Sequence, residues 1–362
     1  MGTRPNFVKI APVWRALADV GVDRRLLHTG QHYDRALSGS FLEQLELPEP
    51  EVSLGVGSGT HAEQTAGVLV GVERVLLESE HAGVLVAGDV NSTLAAALAA
   101  CKIGVPIIHL EAGLRSGDWT MPEEINRVLC DRLSDLLLCT SEDALESLAA
   151  EGIQAQRAVV VGNTMIDSLF LLARPDHAHA VRERFDVQDG DYVLVTLHRP
   201  ALVDDPARLV GAMAALAEIS LRMPVLFPVH PRTQAHIASA GWSPPAGLRL
   251  LGPLTYTDFI GLEAAARLVV TDSGGVQEET SALGVPCLTY RTTTERPITV
   301  ELGTNTVVGV DPDVMLAAAL SELDRPSPDR RCSIPLWDGQ AGPRAAEAIA
   351  RFLAANAQRT RA

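Results

Sequence analysis

The sequence predicts an α/β protein with two doubly wound, Rossmann-like domains, each built on a parallel sheet. Short apolar segments of strand length alternate with longer amphipathic segments along nearly the whole chain. Such alternation indicates parallel strands joined by right-handed helical crossovers. A polar, proline-containing stretch at 175–190 divides the alternation into two runs, and 362 residues are enough for two domains of ordinary size.

The elements follow from the positions of the apolar segments. In the first run, the predicted strands are 25–29, 84–87, 106–109, 136–139 and 159–161. In the second run, they are 192–196, 225–227, 248–250, 268–271 and 287–290. Helical periodicity predicts helices at 92–102, 123–133, 206–221, 275–283 and 343–356. The residues alone do not decide on which domain the last helix packs.

Composition excludes several classes of partner. A formal net charge of -15 argues against a surface for nucleic acid or for an anionic membrane, because both require clustered Lys and Arg. No uninterrupted apolar run reaches membrane-spanning length. The five cysteines show no CxxC spacing, which is typical of a reduced, cytoplasmic protein.

The segment 272–279 (Asp-Ser-Gly-Gly-Val-Gln-Glu-Glu) follows the predicted strand 268–271 and opens a helix. A helix N-terminus directs free N–H groups and the positive end of its dipole towards the carboxyl end of the strand, which favours an anion. Glycines let that anion approach the backbone. Glu278 or Glu279 is then placed for the vicinal hydroxyls of a sugar. Taken alone, the junction is as compatible with an ordinary tight turn as with an anion-binding site.

Carboxylates follow the predicted strands of the first half. Asp89 follows 84–87, Glu111 follows 106–109, and Glu123 begins a predicted helix. Because ligands of doubly wound sheets bind at the carboxyl ends of the strands, we expect all three to line one inter-domain cleft, opposite the turn at 273–275. Alternatively, Asp89 caps a helix and Glu123 only complements a helix dipole.

Histidines also occur at strand ends. His198 and His230 follow two strands of the second half, and His109 ends a strand of the first half. His109 and His230 are each compatible with a buried core histidine bonded to backbone, and for His109 we favour that interpretation.

A series of short motifs, taken in order, is more specific than any one of them. The motifs are Gly-Thr-Arg-Pro at 2–5 with Lys9, Thr-Gly-Gln-His-Tyr-Asp at 29–34, Gly-Asp at 88–89, His-Leu-Glu-Ala-Gly-Leu-Arg at 109–115, Pro-Glu-Glu-Ile-Asn-Arg at 122–127, His-Arg at 198–199, the segment 272–279, Thr-Glu-Arg-Pro at 294–297 and Trp-Asp-Gly at 337–339. In this order, the chain resembles the non-hydrolysing UDP-N-acetylglucosamine 2-epimerase family.

The resemblance implies a GT-B-type fold, a UDP-sugar substrate, no cofactor, no metal and a homodimer. It also implies that the last helix crosses back to the first domain. The expected domains are therefore 1–166 plus 343–362, which carries the catalytic carboxylates, and 167–342, which binds UDP.

The resemblance also implies residue roles. The expected catalytic residues are Asp89, Glu111, Glu123 and His198. The expected substrate-binding residues are Arg4, Lys9, Arg115, Arg127, His230, Ser273, Gly274, Gly275, Glu279 and Arg296, with Glu279 on the ribose and Ser273–Gly275 on the phosphates.

The expected activity is reversible C2 epimerisation of a UDP-HexNAc, by elimination of UDP and re-addition. Two alternatives remain open at this point. One is a hydrolysing 2-epimerase that releases free N-acetylmannosamine and UDP, and the other is a GT-B glycosyltransferase. Three convergent carboxylates favour epimerisation over glycosyl transfer.

The chain departs from the family pattern at several positions, including Asn6, Ala201, Leu202 and Ile298. Gln31 and His32 match positions linked to an allosteric substrate site, but their partner positions near 57–64 do not align clearly.

Family members usually carry an apolar strand before Gly-Thr-Arg-Pro, and here that motif begins at residue 2. The first strand of a doubly wound sheet is central, so its neighbours are expected to be 25–29 and 84–87. We therefore expect an open position between those two strands, and a natural start several residues upstream.

Overall fold

The computed structural model describes residues 1–2, 4–30, 42–326 and 334–361. The chain divides into two compact units. Unit 1 comprises Met1–Ser168 and Pro335–Ala362, and unit 2 comprises Leu169–Ile334. Each unit holds a parallel sheet flanked by helices, so the predicted α/β class is confirmed. In the described part of the chain, no helix is long and apolar enough to cross a membrane.

Strands and helices alternate through unit 1. The strands are β1 (Leu27–His28), β2 (Val52–Ser53), β3 (Val84–Ala87), β4 (Ile107–Ala112), β5 (Leu136–Cys139) and β6 (Ala158–Val160). The helices are α1 (Arg4–Asp19), α2 (His61–Leu77), α3 (Asn91–Ile103), α4 (Pro122–Leu133), α5 (Glu142–Ala150) and α6 (Thr164–Leu172), within which the boundary with unit 2 falls.

Unit 2 repeats the alternation. Its helices are α7 (Pro175–Arg184), α8 (Pro200–Val203), α9 (Pro206–Ser220), α10 (Pro231–Ser239), α11 (Tyr256–Glu263), α12 (Gly274–Leu283), α13 (Pro297–Glu301) and α14 (Pro312–Leu323). Its strands are β7 (Val193–Thr196), β8 (Val225–Pro228), β9 (Leu248–Leu251), β10 (Leu268–Thr271), β11 (Cys287–Thr289) and β12 (Asn305–Val307). The last helix, α15 (Ala341–Arg361), belongs to unit 1.

The main sheet of unit 1 has the order β3-β4-β5-β6, with all pairs parallel. α15 packs beside α1 over this sheet, where Ile349 and Val13 join the core formed by Ile108 and Leu138. The Asp167 carboxylate accepts the backbone N–H groups of residues 341 and 342, which fixes the start of α15. Carboxylates are favoured at a helix start because the first N–H groups lack partners within the helix.

β1 and β2 form a separate parallel pair in unit 1. Met1 extends the edge of β1: its amino group donates to the Leu27 carbonyl at 2.8 Å, and the Thr29 N–H donates to the Met1 carbonyl at 2.9 Å. Among the described residues, no strand lies between β1 and β3. A cavity of about 470 Å³ occupies that position, with Leu27, Leu85 and Ile108 among its lining residues.

The sheet of unit 2 has the order β12-β11-β10-β7-β8-β9 and is parallel throughout. β7 and β10 are adjacent at its centre, and the order of the strands along the chain reverses between them. Ligands of open parallel sheets bind at the carboxyl ends of strands at such a reversal. The turns after β7 and β10 therefore lie where a ligand site is expected.

Candidate functional site

Lys9 and Glu111 form a buried ion pair in unit 1. Lys9 lies on α1 and Glu111 on β4, and Lys9 Nζ contacts Glu111 Oε2. Their side chains are only 9% and 7% exposed. A Cβ atom on Gly88 would lie 2.9 Å from Lys9 Nζ and 3.3 Å from Glu111 Oε2, so a side chain at position 88 would crowd the pair.

The backbone of Glu111 is strained. Its φ of +68° lies in the left-handed region, which costs a residue other than glycine about 1–3 kcal/mol. The pairing of β4 with β5 shifts register at this point, between Leu110 and Ala112. Such an irregularity redirects a side chain, and here it accompanies the turn of the Glu111 carboxylate towards Lys9.

Asp89 is held by α4. Arg127 Nη2 donates to Asp89 Oδ2 at 2.5 Å, and the Asn126 amide donates to the Asp89 carbonyl at 2.9 Å. The Asp89 side chain is 26% exposed, whereas that of Arg127 is 4% exposed. The acid is therefore accessible to a substrate while the arginine that orients it is buried.

Of the two adjacent acids at the start of α4, Glu124 is buried and Glu123 is exposed. Glu124 accepts the N–H groups of Ser116 and Gly117 and pairs with Arg127 at 2.6 Å. Burial opposes its ionisation, but these donors outweigh burial and lower the pKa of Glu124. Glu124 thus anchors the loop before α4, which the sequence did not indicate.

His109 lies at the centre of a buried network. Its Nδ1 is 2.6 Å from Asp131 Oδ1, and its Nε2 is 2.9 Å from the Gly88 carbonyl oxygen. Asp131 Oδ2 also accepts the Gly113 N–H at 3.1 Å and Arg115 Nη1 at 2.7 Å. The core interpretation of His109 agrees with this placement.

Arg115 and Arg4 are two further residues predicted to bind substrate. The Arg115 guanidinium pairs with Glu151, at 2.6 and 2.9 Å, as well as with Asp131. Arg4 begins α1, and its side chain is outside the described part of the structure, as are Gln31 and His32.

In unit 2, Asp272 fixes the turn after β7. Its buried carboxylate accepts the backbone N–H of His198, at 2.9 Å, and that of Arg199, at 2.8 Å. His198 Nδ1 lies 3.0 Å from Asp272 Oδ1, while its side chain is 54% exposed. This contact orients the His198 ring and leaves Nε2 as the ring atom available to a ligand. Asp272 was part of the recognised motif but was not predicted as an orienting residue.

The N-terminus of α12 lies directly after β10, and Ser273 is its N-cap residue without a side-chain capping bond. The first N–H groups of this helix have no partners within it, so they can bind an anion. A Cβ atom on Gly274 would lie 2.5 Å from Arg296 Nη1 and 2.6 Å from Glu295 Oε1. Glycine is needed here because the buried Arg296–Glu295 pair packs against the helix start.

Arg296 is tied into unit 2 by two acids. Its Nη1 pairs with Glu295 at 2.6 Å, and its Nε pairs with Glu278 at 2.9 Å. Glu278 is therefore the acid of the Glu-Glu pair that is neutralised inside the unit. The sequence left open which of Glu278 and Glu279 would face a sugar, and this pairing leaves Glu279 as the candidate.

Glu279 lies in an acidic, buried environment. The Tyr256 hydroxyl donates to Glu279 Oε1 at 2.5 Å, and both Glu279 and Glu263 are buried. Burial raises the pKa of Glu279 to about 7, against the lowering effect of the Tyr256 hydroxyl. Burial and the charge of Glu279 raise the pKa of Glu263 well above its ordinary value.

His230 is exposed just after β8, so it is not a core histidine. Glu124 and Asp131 are positioning residues that the sequence analysis missed. They lie seven positions apart on α4, and buried polar residues at that spacing share one helix face, a signal that could have identified them. Among the described residues, no group of three or more His, Cys, Asp or Glu side chains could hold a metal ion.

Two Rossmann-like units of this kind define a protein of the GT-B fold class. A family model described as UDP-N-acetylglucosamine 2-epimerase matches residues 15–350. The chain belongs to this family.

Relatives with different substrates in their names are equally similar to this chain. The UDP-N-acetylglucosamine 2-epimerase of Methanocaldococcus jannaschii is 40% identical over 353 residues, covering 95% of this chain and 96% of the relative. The UDP-2,3-diacetamido-2,3-dideoxy-D-glucuronate 2-epimerase of Pseudomonas aeruginosa is 40% identical over 361 residues, covering 98% of each chain. The crystal structure of the M. jannaschii enzyme with UDP-GlcNAc and UDP superposes with a TM-score of 0.87 at 38% identity, covering 97% of this chain and 98% of that one.

Proposed function

We propose that this protein catalyses the reversible C2 epimerisation of a UDP-linked 2-acetamido sugar, interconverting UDP-N-acetylglucosamine and UDP-N-acetylmannosamine. The observation that carries the proposal is the placement of Asp89 and Glu111. This chain belongs to the epimerase family, and both of its carboxylates are held by cations at the ends of the adjacent strands β3 and β4.

The proposed chemistry is elimination followed by re-addition. The C2 proton beside an acetamido and an acetal carbon is barely acidic, so departure of the leaving group must lead. The C1–O bond breaks and its electron pair goes to the UDP oxygen, while a carboxylate takes the C2 proton and a C1=C2 double bond forms. UDP then adds back to C1, and a proton reaches C2 from the opposite face.

Two faces of C2 require two proton-handling groups, which favours at least two carboxylates with different environments. Glu111 is buried against Lys9, whereas Asp89 is partly exposed and paired with Arg127. We assign these two acids to proton transfer and to stabilisation of positive charge at C1, with the exposed Glu123 as a third candidate. Lys9 and Arg4 are assigned to the charge that grows on the leaving diphosphate.

We assign the nucleotide to unit 2. Ser273, Gly274 and Gly275 at the start of α12 bind the phosphates, Glu279 binds the ribose hydroxyls, and His198 contacts the diphosphate. Support comes from the open helix N-terminus and from the Asp272 carboxylate that orients His198. Substrate contact by His230, Arg115, Arg127 and Arg296 stays a prediction, and the ion pairs of the three arginines favour a positioning role for them.

A second candidate substrate is a UDP-2,3-diacetamido-2,3-dideoxy-D-glucuronate. The P. aeruginosa relative named for that substrate is as similar to this chain as the M. jannaschii enzyme named for UDP-N-acetylglucosamine. Both reactions use the same elimination at C1 and C2 and differ in the groups at C3 and C6.

The purified protein should be incubated separately with each UDP sugar, and the products separated by anion-exchange chromatography and identified by mass spectrometry and NMR. We expect the C2 epimer of UDP-N-acetylglucosamine at an equilibrium reached from either direction. Turnover of the glucuronate derivative alone would assign the second substrate. Accumulation of free N-acetylmannosamine with UDP would identify the hydrolysing reaction and contradict the proposal.

We also propose a cytoplasmic homodimer. The free thiols of Cys101, Cys130, Cys139 and Cys287 are typical of a reducing compartment. On unit 1, Val70 and Leu77 of α2 and Leu129 of α4 are exposed apolar side chains of the kind that a subunit interface covers. Light scattering coupled to size-exclusion chromatography tests the dimer, and a monomer at micromolar concentration would contradict it.

A further inference from the structure

His109 belongs to neither the predicted catalytic set nor the predicted binding set, yet it lies on β4 two residues before Glu111 and contacts the turn that carries Asp89. Its ring is fully buried. Nε2 faces the carbonyl of Gly88, the residue before Asp89, and Nδ1 faces Asp131. Asp131 in turn accepts the N–H of Gly113, two residues after Glu111.

The contacts fix the protonation of the ring. A carbonyl oxygen only accepts hydrogen bonds, so Nε2 must carry a proton. Asp131 accepts from Arg115 and from Gly113 as well, which favours the ionised carboxylate, so Nδ1 also donates. With both nitrogens donating, His109 is an imidazolium.

Other groups facing the ring agree with that state. Burial alone would lower the pKa of His109, but the neighbouring Cys130 and Asp131 outweigh it, and the pKa lies well above its ordinary value. Burial would likewise raise the pKa of Asp131, but His109 and Arg115 outweigh it and lower it.

We propose that His109 is a positioning residue for the epimerisation, an imidazolium whose Nε2 proton holds the Gly88 carbonyl, and with it the Asp89 carboxylate, at a set distance from Glu111, while Asp131 only orients the ring through Nδ1. This inference rests on the proposed function. Gly88 also lies against the Lys9–Glu111 pair, so a displaced Gly88 turn would move both acids relative to the sugar. Catalysis is sensitive to such displacement because proton transfer needs aligned groups at hydrogen-bond distance.

Two amide substitutions separate the two contacts. In His109→Gln the amide nitrogen lies near the position of Nε2 and can still donate to Gly88, whereas in His109→Asn it lies near Nδ1 and reaches only Asp131. We expect His109→Asn to lower kcat by about 10- to 100-fold with KM changed less than about 3-fold. His109→Gln should retain kcat within about 5-fold. The Kd for UDP, measured by calorimetry, should stay within about 2-fold in both because the residues assigned to UDP in the ground state, Ser273–Gly275, Glu279 and His198, belong to unit 2.

An equal fall of kcat in the two variants would show that His109 acts only on the stability of the fold, and would overturn the proposal. So would a fall of kcat that is proportional to the fall in melting temperature. An unchanged kcat in a folded His109→Asn protein would overturn it too.

A second measurement does not depend on activity. Side-chain ¹⁵N NMR of histidine-labelled wild type, with the His109 signal assigned from its loss in His109→Gln, should show both ring nitrogens protonated at pH 8. One unprotonated nitrogen at that pH would overturn the proposal. If the wild type epimerises neither UDP sugar, the proposed function fails, and the NMR result still decides the state of His109.

Discussion

Lys9 and Glu111 neutralise each other inside unit 1, one from α1 and the other from a strained position near the end of β4. A buried ion pair stabilises little as a whole, but loss of one partner leaves a charge without compensation in a poorly solvated place. The pair therefore couples the stability of unit 1 to the geometry of its proposed reaction centre.

The first prediction concerns that coupling. Lys9→Met should destabilise the protein by about 3–5 kcal/mol, because it removes the cation that contacts the buried Glu111 carboxylate. The double variant Lys9→Met/Glu111→Gln should lose less than either single variant. Urea unfolding measures the three free energies, with Glu146→Gln, a change at an exposed acid of α5, as the control. Additive losses in the double variant would show that the two side chains do not interact.

The second prediction separates binding from turnover. At pH 8, above the pKa of about 7 that burial gives Glu279, Glu279→Gln should weaken UDP binding by about 10- to 100-fold, because a charged hydrogen bond to the ribose hydroxyls contributes about 1.5–3 kcal/mol. Its kcat at saturating substrate should change little, since that contact is the same in the ground and transition states. Arg4→Met should mainly lower kcat, since charge on the diphosphate grows as the bond breaks. Calorimetry measures the Kd for UDP and steady-state kinetics measures kcat. Equal losses of binding and turnover in both variants would contradict the assignment of Glu279 to binding and Arg4 to turnover.

The third prediction is a pH dependence of stability. The pKa of Glu279 is raised by burial to about 7, so between its ordinary value of 4.5 and 7 the folded protein holds a proton that the unfolded chain has lost. Stability must then fall as pH rises through that window. Between pH 5 and pH 7.5, the melting temperature of wild type should fall more than that of Glu279→Gln. Glu218→Gln, at an exposed acid of α9, should follow wild type. Parallel curves for wild type and Glu279→Gln would exclude a raised pKa.

The fourth prediction uses the cavity between β1 and β3. Met1 already pairs with β1, and its buried amino group has a pKa lowered by burial to about 6. Five added residues ahead of Met1, Val-Ile-Val-Ile-Val, should fill the cavity as a parallel strand. Burial of even two of these side chains gives about 3 kcal/mol, or roughly 6–12 °C in melting temperature. A Gly-Ser-Gly-Ser-Gly extension is the control, and equal melting temperatures for the two extensions would contradict the prediction.

Hydrophobic periodicity correctly predicted the fold class and the position of Asp89 just after a strand. It placed Glu111 after a strand that ends at residue 109, whereas β4 continues to Ala112. The polar residues His109 and Glu111 interrupt the apolar pattern, but the buried contacts of His109 and the irregular pairing at Glu111 let the strand continue. Contacts between residues far apart in the sequence stabilise these polar positions, and a short window of sequence does not reveal such contacts.

Pairs of adjacent acidic residues also limited what the sequence could predict about the site. Glu123 and Glu124, and likewise Glu278 and Glu279, are neighbours in sequence that point about 100° apart on a helix. The pattern does not show which one pairs with a buried cation: Glu124 pairs with Arg127, three positions along the same helix, and Glu278 pairs with Arg296. The short strands β2 and β12 were also missed.

The central claim is that C2 loses its proton during reversible departure of UDP. Proton NMR of the wild-type protein with UDP-N-acetylglucosamine in deuterated water tests it most directly, with Glu111→Gln in parallel. We expect deuterium at C2 of both the product and the recovered substrate, and at least about a 100-fold slower exchange in Glu111→Gln. Epimerised product that retains the original proton at C2, or exchange that is unaffected in Glu111→Gln, would contradict the account.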